Sequence, residues 1–363
     1  MKKRKMSGVS DLFLISDIHF GVRNDNKMWT DIITDYFREF FIPLVEDNKT
    51  DQTAVAILGD VFDNRTNLNI NTMNEACDII EKIASMVPVI ILVGNHDMYK
   101  KRDTTLNSLR VFRGIKNVTI VDEETLYSFN GSDVLMIPYT EDYVRCTKLI
   151  EESTTDYVFL HTQIKNTKFN QFTRIGEGVD LTNFSGTMCF SGHIHMRSES
   201  GKAIYLGSPY HLNRADIGNV KGIYRVDLKT KTHTFTENTV TPVYQKLLLS
   251  DVLKMSTEDV KNALRGNFTD ILVREDDTDF EPYDFLEAYK TTEYKGVEFI
   301  YVNDESEDNP YENIEVTIKD GGVSLDDVVR EFIETTDVSE DLKRQVAEWN
   351  KRYIDQLSNT DND

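Results

Sequence analysis

The stretch Leu12-Phe13-Leu14-Ile15-Ser16-Asp17-Ile18-His19 decides how the rest of the chain is read. Four apolar residues in a row match a short strand buried on both faces. The run breaks into Asp-x-His, and residues two apart on an extended chain face the same side. A carboxylate and an imidazole can therefore aim at one point. The same form recurs along the chain. Ala54 to Leu58 leads into Gly59-Asp60-Val61-Phe62-Asp63, and Val87 to Val93 leads into Gly94-Asn95-His96-Asp97. Tyr157 to Leu160 runs into His161, and Met188 to Phe190 leads into Ser191-Gly192-His193-Ile194-His195. Helical patterns fall between the runs, as in Trp29 to Val45 and Thr72 to Met86. The alternation predicts an α/β sandwich.

Ligands of open α/β sheets bind beyond the carboxyl ends of the strands. Five polar clusters converging there would offer oxygen and imidazole ligands without sulfur, a set that suits Mn²⁺, Fe or Zn²⁺ better than a structural thiolate zinc site. A carboxylate has lone pairs enough to bridge two cations, and Asp60, isolated at a strand end, is the candidate bridge. Two metals ~3.5–4 Å apart can clamp the attacking and leaving oxygens of a phosphoryl displacement and lower the pKa of a shared water. Each motif is weak alone, since a lone His is commonly a core residue and a lone Asp a helix cap. Their conjunction is specific: five of the chain's seven histidines sit in these clusters. His233 reads as a surface strand residue and His211 as a possible cleft residue.

The 363 residues exceed the needs of one small domain, and 39% hydrophobic with 28% charged residues is an ordinary globular balance. No apolar run approaches the ~20 residues of a membrane span. The basic start, Met1-Lys-Lys-Arg-Lys-Met6, lacks a signal-peptide core and reads as a solvated tail. Cys77, Cys146 and Cys189 are too few and too scattered for a disulfide or thiolate framework, and suit reduced thiols in a cytosolic protein. The net charge of −21 argues against an autonomous nucleic-acid binder, although bound metals reverse the field locally and a partner can supply phosphate contacts.

The pattern changes near residue 245. Ser256 caps an expected helix bearing Val260 to Leu264, Phe268 to Val273 and Val297 to Val302 read as strands, and Tyr283 to Tyr289 as a helix. Asp304 to Asn309 reads as a solvated acidic turn. Ser324 and Ser339 would cap two further helices, the second running to Leu357, each with one apolar stripe. That pair either packs on its own domain or docks a partner. The expected units are residues 1–245, 246–320 and 321–363. Lys100-Lys101-Arg102, and Lys165, Lys168 and Arg174 interleaved with Phe169 and Phe172, either contact backbone phosphates or are ordinary solvated surface.

Asp-x-His, Gly-Asp-x-x-Asp, Gly-Asn-His-Asp, a lone His and Gly-His-x-His, in this order, resemble the calcineurin-like metallophosphoesterases across roughly residues 12 to 210. The Gly-Asn-His-Asp form, Gly207-Ser-Pro-Tyr210 and the C-terminal additions look like the SbcD-type DNA repair nucleases, including the phage-encoded ones. The resemblance implies a βαβ sandwich with a small α/β capping domain and a C-terminal helical hairpin. It implies two divalent ions, with Mn²⁺ the expected metal. Asp17, His19, Asp60 and His195 would hold one, and Asp60, Asn95, His161 and His193 the other. His96 would not ligate but would protonate the leaving oxygen or stabilise the transition state, with Asp63 as its orienter; Asp63 as a helix cap is the alternative. Nucleases of this type often carry His where Asp63 stands, a departure that bears on any extra role of that His and not on the metal set. The group's activity is 3′–5′ exonuclease on duplex ends and endonuclease on single strands, in recombination, repair, replication or DNA degradation. Its members form homodimers with an SbcC-type coiled-coil ATPase, which the C-terminal hairpin would dock, in the bacterial cytoplasm (the host's, if phage-encoded). A phosphatase or cyclic-nucleotide phosphodiesterase on the same scaffold is the competing class.

Overall fold

In a computed structural model, residues 1–100, 103–168, 174–274 and 280–302 are described. The strands in chain order are β1 (Lys2–Met6), β2 (Asp11–Ile15), β3 (Thr53–Ile57), β4 (Val89–Leu92), β5 (Met98–Lys100), β6 (Asp103–Asn107), β7 (Val118–Val121), β8 (Thr125–Phe129) and β9 (Asp133–Ile137). They continue as β10 (Tyr157–Leu160), β11 (Met188–Ser191), β12 (Ser198–Ser200), β13 (Ala203–Tyr205), β14 (Gly222–Asp227), β15 (Thr232–Glu237), β16 (Tyr244–Leu248), β17 (Phe268–Arg274) and β18 (Gly296–Val302).

Two sheets form the sandwich. One has the order β15-β14-β2-β3-β4-β7, the other β1-β8-β9-β10-β11-β13-β12. Strands β2, β3 and β4 pair in parallel, as do β9, β10 and β11, so the five chemistry-bearing strands deliver their carboxyl ends to the same rim. Every residue of β3, β4 and β10 is buried, which explains their unbroken apolar runs. One apolar layer fills the space between the sheets with Leu12, Leu14, Ala56, Leu92, Phe159 and Phe190. On the outer face of the first sheet, Phe13, Val55 and Ile91 pack against the helices Lys27–Asp35 and Ile70–Met86. The fold class expected from the sequence is the one observed.

The basic start is not a free tail. Lys2–Met6 is an edge strand, paired in parallel with β8. Its lysines carry no apolar alternation to announce a strand, and charged residues suit an edge because they discourage pairing with another chain. The small sheet β16-β17-β18 stacks on the sandwich through Trp29, Phe268 and Tyr244, with Phe268 parallel to both rings at 5.7 and 4.5 Å. Its helices Thr257–Leu264 and Pro282–Tyr289 lie where the pattern placed them, and Ser256 Oγ accepts the Asp259 N–H as the first one's cap. Cys77, Cys146 and Cys189 are free thiols. Among the described residues no helix is long and apolar enough to cross a membrane. The Asp304–Asn309 turn and the two helices from Ser324 to Leu357 lie outside the described residues, as do Lys101, Arg102, Phe169 and Phe172.

Candidate metal centre

The strand ends bring Asp17, His19, Asp60, Asn95, His96, His161, His193 and His195 to one place. Asp17, His19 and His195 form one group of converging ligand atoms, and Asp60, His161 and His193 another; a third group, His19, Asp60 and His96, joins them. In the first, His19 Nε2 lies 3.0 Å from His195 Nε2, and His195 Nε2 lies 3.8 Å from Asp17 Oδ1. In the second, His161 Nε2 lies 3.2 Å from Asp60 Oδ2 and 3.1 Å from Asn95 Oδ1, which is 2.8 Å from His193 Nδ1. Asp60 Oδ2 stands between the groups, 3.9 Å from His19 Nε2.

These separations fit cations. Donor atoms ~2.1 Å from one ion stand about 3.0 Å apart along an octahedral edge and about 3.4 Å apart along a tetrahedral one. The facing nitrogens of His19 and His195 give a second indication. Two imidazole lone pairs 3.0 Å apart repel unless a proton or a metal ion lies between them. The supporting bonds free the inward nitrogens. His161 Nδ1–H donates to Leu58 O at 2.6 Å, which leaves Nε2 with its lone pair. His19 Nδ1 lies 3.1 Å from Asp63 Oδ1, a carboxylate behind an imidazole.

Strain collects in these loops. Asp17, His19, Asp60 and His193 all have positive φ, between 51° and 79°, a conformation that costs roughly 1–3 kcal/mol where glycine is absent. Asp97 does much to hold it. Its buried carboxylate accepts the N–H groups of Asp60 and Gly94 on Oδ2, and of Val61 and Phe62 on Oδ1, clamping two site loops together. Gly94 itself is required by close approach, because a Cβ there would lie 2.2 Å from Asp60 Oδ1.

The charges in the cluster act strongly on one another. Burial opposes protonation of His161, yet the Asp60 carboxylate outweighs it and holds the group up at about 9. Burial and neighbouring His161 push His193 down to about 3. Burial and the Asp60 charge raise Asp97 to about 7 against the pull of its backbone donors. The Asp60 carboxyl is held far below its usual range: burial opposes ionisation, but His161 and His19 prevail.

The sequence model of the calcineurin-like phosphoesterases matches residues 11–197, more than half of the chain and every residue of the cluster. The chain belongs to that family. Three viral proteins are similar to it. "Exonuclease subunit 1" of Enterobacteria phage T4 is 24% identical, over 70% of this chain and 78% of its own. "Putative phosphoesterase 078R" of Invertebrate iridescent virus 3 is 27% identical, over 79% and 78%. "Putative phosphoesterase 244L" of Invertebrate iridescent virus 6 is 25% identical, over 53% and 67%. As a calcineurin-like phosphoesterase the chain is a metal-dependent hydrolase of phosphate esters.

Other expected residues stand differently. Asp63 meets His96 through its backbone: His96 Nδ1–H donates to Asp63 O at 2.7 Å, while the Asp63 carboxylate serves His19. The β-strand exit turns Asp63 so that its two ends reach two histidines, which spacing alone does not reveal. His211 does not line the cleft. Tyr244 N–H donates to its Nδ1 and its Nε2–H reaches Asn219 O, so it joins the sandwich to the small sheet. His233 is half-buried against Phe190 and Tyr224. Of the candidate phosphate contacts, Lys100 is exposed, Lys165 pairs with Asp180, and Arg174 bonds Asn166 O. Asp97 is the residue the sequence reading passed over. Its place at the end of Gly-Asn-His-Asp, directly after the turn that carries Asn95 and His96, was the available signal.

Proposed function

We propose that this chain is a Mn²⁺-dependent DNA nuclease that hydrolyses phosphodiester bonds as the nuclease subunit of a complex. The similarity to a phage exonuclease subunit over 70% of the chain carries the restriction to DNA. Asp17, His19, Asp60 and His195 would hold one ion, and Asp60, Asn95, His161 and His193 the other, with Asp60 as bridge. Ions held there would supply water activation and neutralise charge developing on the phosphoryl oxygens. His96 acts beside them. Its backbone N–H donates to Asp60 Oδ1 at 2.8 Å, and its Nδ1–H is taken by Asp63 O, so Nε2 is the atom left to serve the leaving oxygen. Asp63 orients His96 through that carbonyl and supports His19 through its carboxylate.

Residues 1–245 form the catalytic unit, 246–320 a capping unit over the substrate and 321–363 the docking segment for an SbcC-type ATPase. The working form is a homodimer with that ATPase, acting on duplex ends from 3′ to 5′ and on single strands internally, in recombination, repair, replication or DNA degradation. The setting is the bacterial cytoplasm, the host's if the chain is phage-encoded. Digestion of end-labelled duplex with Mn²⁺, with and without the ATPase, tests the proposal against hydrolysis of p-nitrophenyl phosphate. Shortening of the duplex supports it. Intact DNA alongside a cleaved small ester would instead make the chain a phosphatase, and cleavage of cyclic nucleotides alone would make it a cyclic-nucleotide phosphodiesterase.

A further inference from the structure

The ligand loops lean on a buried ion pair that lies beyond the span matched by the family model. Lys221 is almost wholly buried, and an ammonium there is costly unless all its protons find acceptors. They do. Lys221 Nζ donates to Asp216 Oδ1 at 2.5 Å, to Ser208 Oγ at 3.1 Å and to the backbone carbonyl of His195 at 2.6 Å. His195 O also accepts the Ser208 N–H at 3.0 Å. Asp216 is fixed in turn, its Oδ2 taking the N–H groups of Leu212 and Asn213. The same segment reaches a second ligand loop, because Tyr210 O–H donates to the carbonyl of Ile18, between Asp17 and His19.

The contacts fall on one side of the centre. His195 and the Asp17–His19 loop belong to one ligand group. In the other group His161 takes its support from Leu58 O and Asp60 from Asp97, while the His193 N–H is held by the Asp17 carboxylate. Resting on the metal assignment proposed above, we infer that Lys221 is a positioning residue for the ion that Asp17, His19, Asp60 and His195 would hold, and bears on the occupancy of that position more than on the other. A bare positive charge near a cation site would weaken binding, so removing it would tighten the ion. A positioning role has the opposite sign: losing the clamp on His195 O loosens it.

Mn²⁺ titration of the metal-free full-length chain, followed by electron paramagnetic resonance of the loaded protein, tests this. The wild type should bind two ions and give the spectrum of a spin-coupled pair. Lys221→Met should weaken one ion by roughly 10–100-fold, the usual cost of losing an outer-shell partner, and turn the spectrum into that of an isolated ion. The double variant Lys221→Met/Asp216→Asn leaves no buried carboxylate unpaired and should behave the same. Tyr210→Phe alters no buried charge and should weaken the same ion. Unchanged, tighter or equally weakened binding at both positions in these variants would overturn the inference. A wild type that takes up no Mn²⁺ would instead defeat the metal assignment itself.

Discussion

Gly94→Ala puts the bridging position under direct test. A Cβ on Gly94 would stand 2.2 Å from Asp60 Oδ1 and 2.3 Å from Asp60 N, and reaching an ordinary 3.4 Å contact needs a shift of about 1.2 Å. Asp60 cannot yield alone. Its N–H is held by Asp97 Oδ2 at 2.9 Å, and its Oδ1 takes the His96 N–H at 2.8 Å. The shift therefore passes to His96 and to the Asp60 oxygen between the two ligand groups. A misplacement of about 1 Å at a reacting centre can cost about 100-fold in rate. Overpacking of this kind costs about 1–3 kcal/mol, against a usual domain stability of about 5–15 kcal/mol, so the variant should still fold. The assay is Mn²⁺-dependent hydrolysis of bis-p-nitrophenyl phosphate, with urea unfolding as the control. We expect kcat/KM to fall about 100-fold with a weakened Mn²⁺ affinity. A folded variant whose kcat/KM stays near wild type, with Mn²⁺ binding unchanged, would refute the bridging role of Asp60.

Three further outcomes are expected. His96→Ala should lower cleavage by about 10²–10⁴-fold while both ions remain bound, as read by metal analysis; retained activity would remove His96 from the chemistry. His161 has its folded pKa raised from 6.5 to about 9, so its contribution to stability is complete below pH 6.5 and is lost as pH rises through about 9. The metal-free chain should thus melt at lower temperature across that window, and Mn²⁺ loading near pH 7 should release protons, measured by calorimetry in buffers of different ionisation heat; loading without release would contradict the ligand role. Deleting residues 324–363 should abolish binding of the ATPase and spare weak Mn²⁺-dependent nuclease activity. Co-purification of the truncated chain with the ATPase would count against docking there.

The fold was legible where burial is complete. Strands such as Tyr157–Leu160, with apolar residues on both faces, announce themselves as runs, and their polar ends announce the site. Edge strands carry no such mark. Lys2–Met6 pairs with β8 through its backbone, and nothing in four basic side chains predicts it. That the polar clusters converge was legible, because few other roles need five of them at strand ends. Their supports were not. Lys221 is 26 residues from His195, whose carbonyl it holds, and Asp63 splits its two functions between carboxylate and carbonyl, a matter of local chain direction.

The charge of the chain bears on how it would meet DNA. Several cations near the rim are already engaged: Lys2 with Glu123, Arg113 with Asp122, and Arg145 with Glu124. Lys165 faces Asp180, and Arg214 faces Asp270 and Glu298. Phosphate contacts normally dominate nucleic-acid affinity and come from lysine and arginine. Among the described residues these pairings, together with the net charge of −21, reduce the positive surface offered to a polyanion away from the candidate metal centre. Ions held at the centre would attract a phosphate but would not track a strand. The proposed partner subunit is then needed for affinity more than for chemistry. On this reasoning the isolated chain should bind DNA weakly while using the same residues, and the proposed ATPase should act mainly on KM.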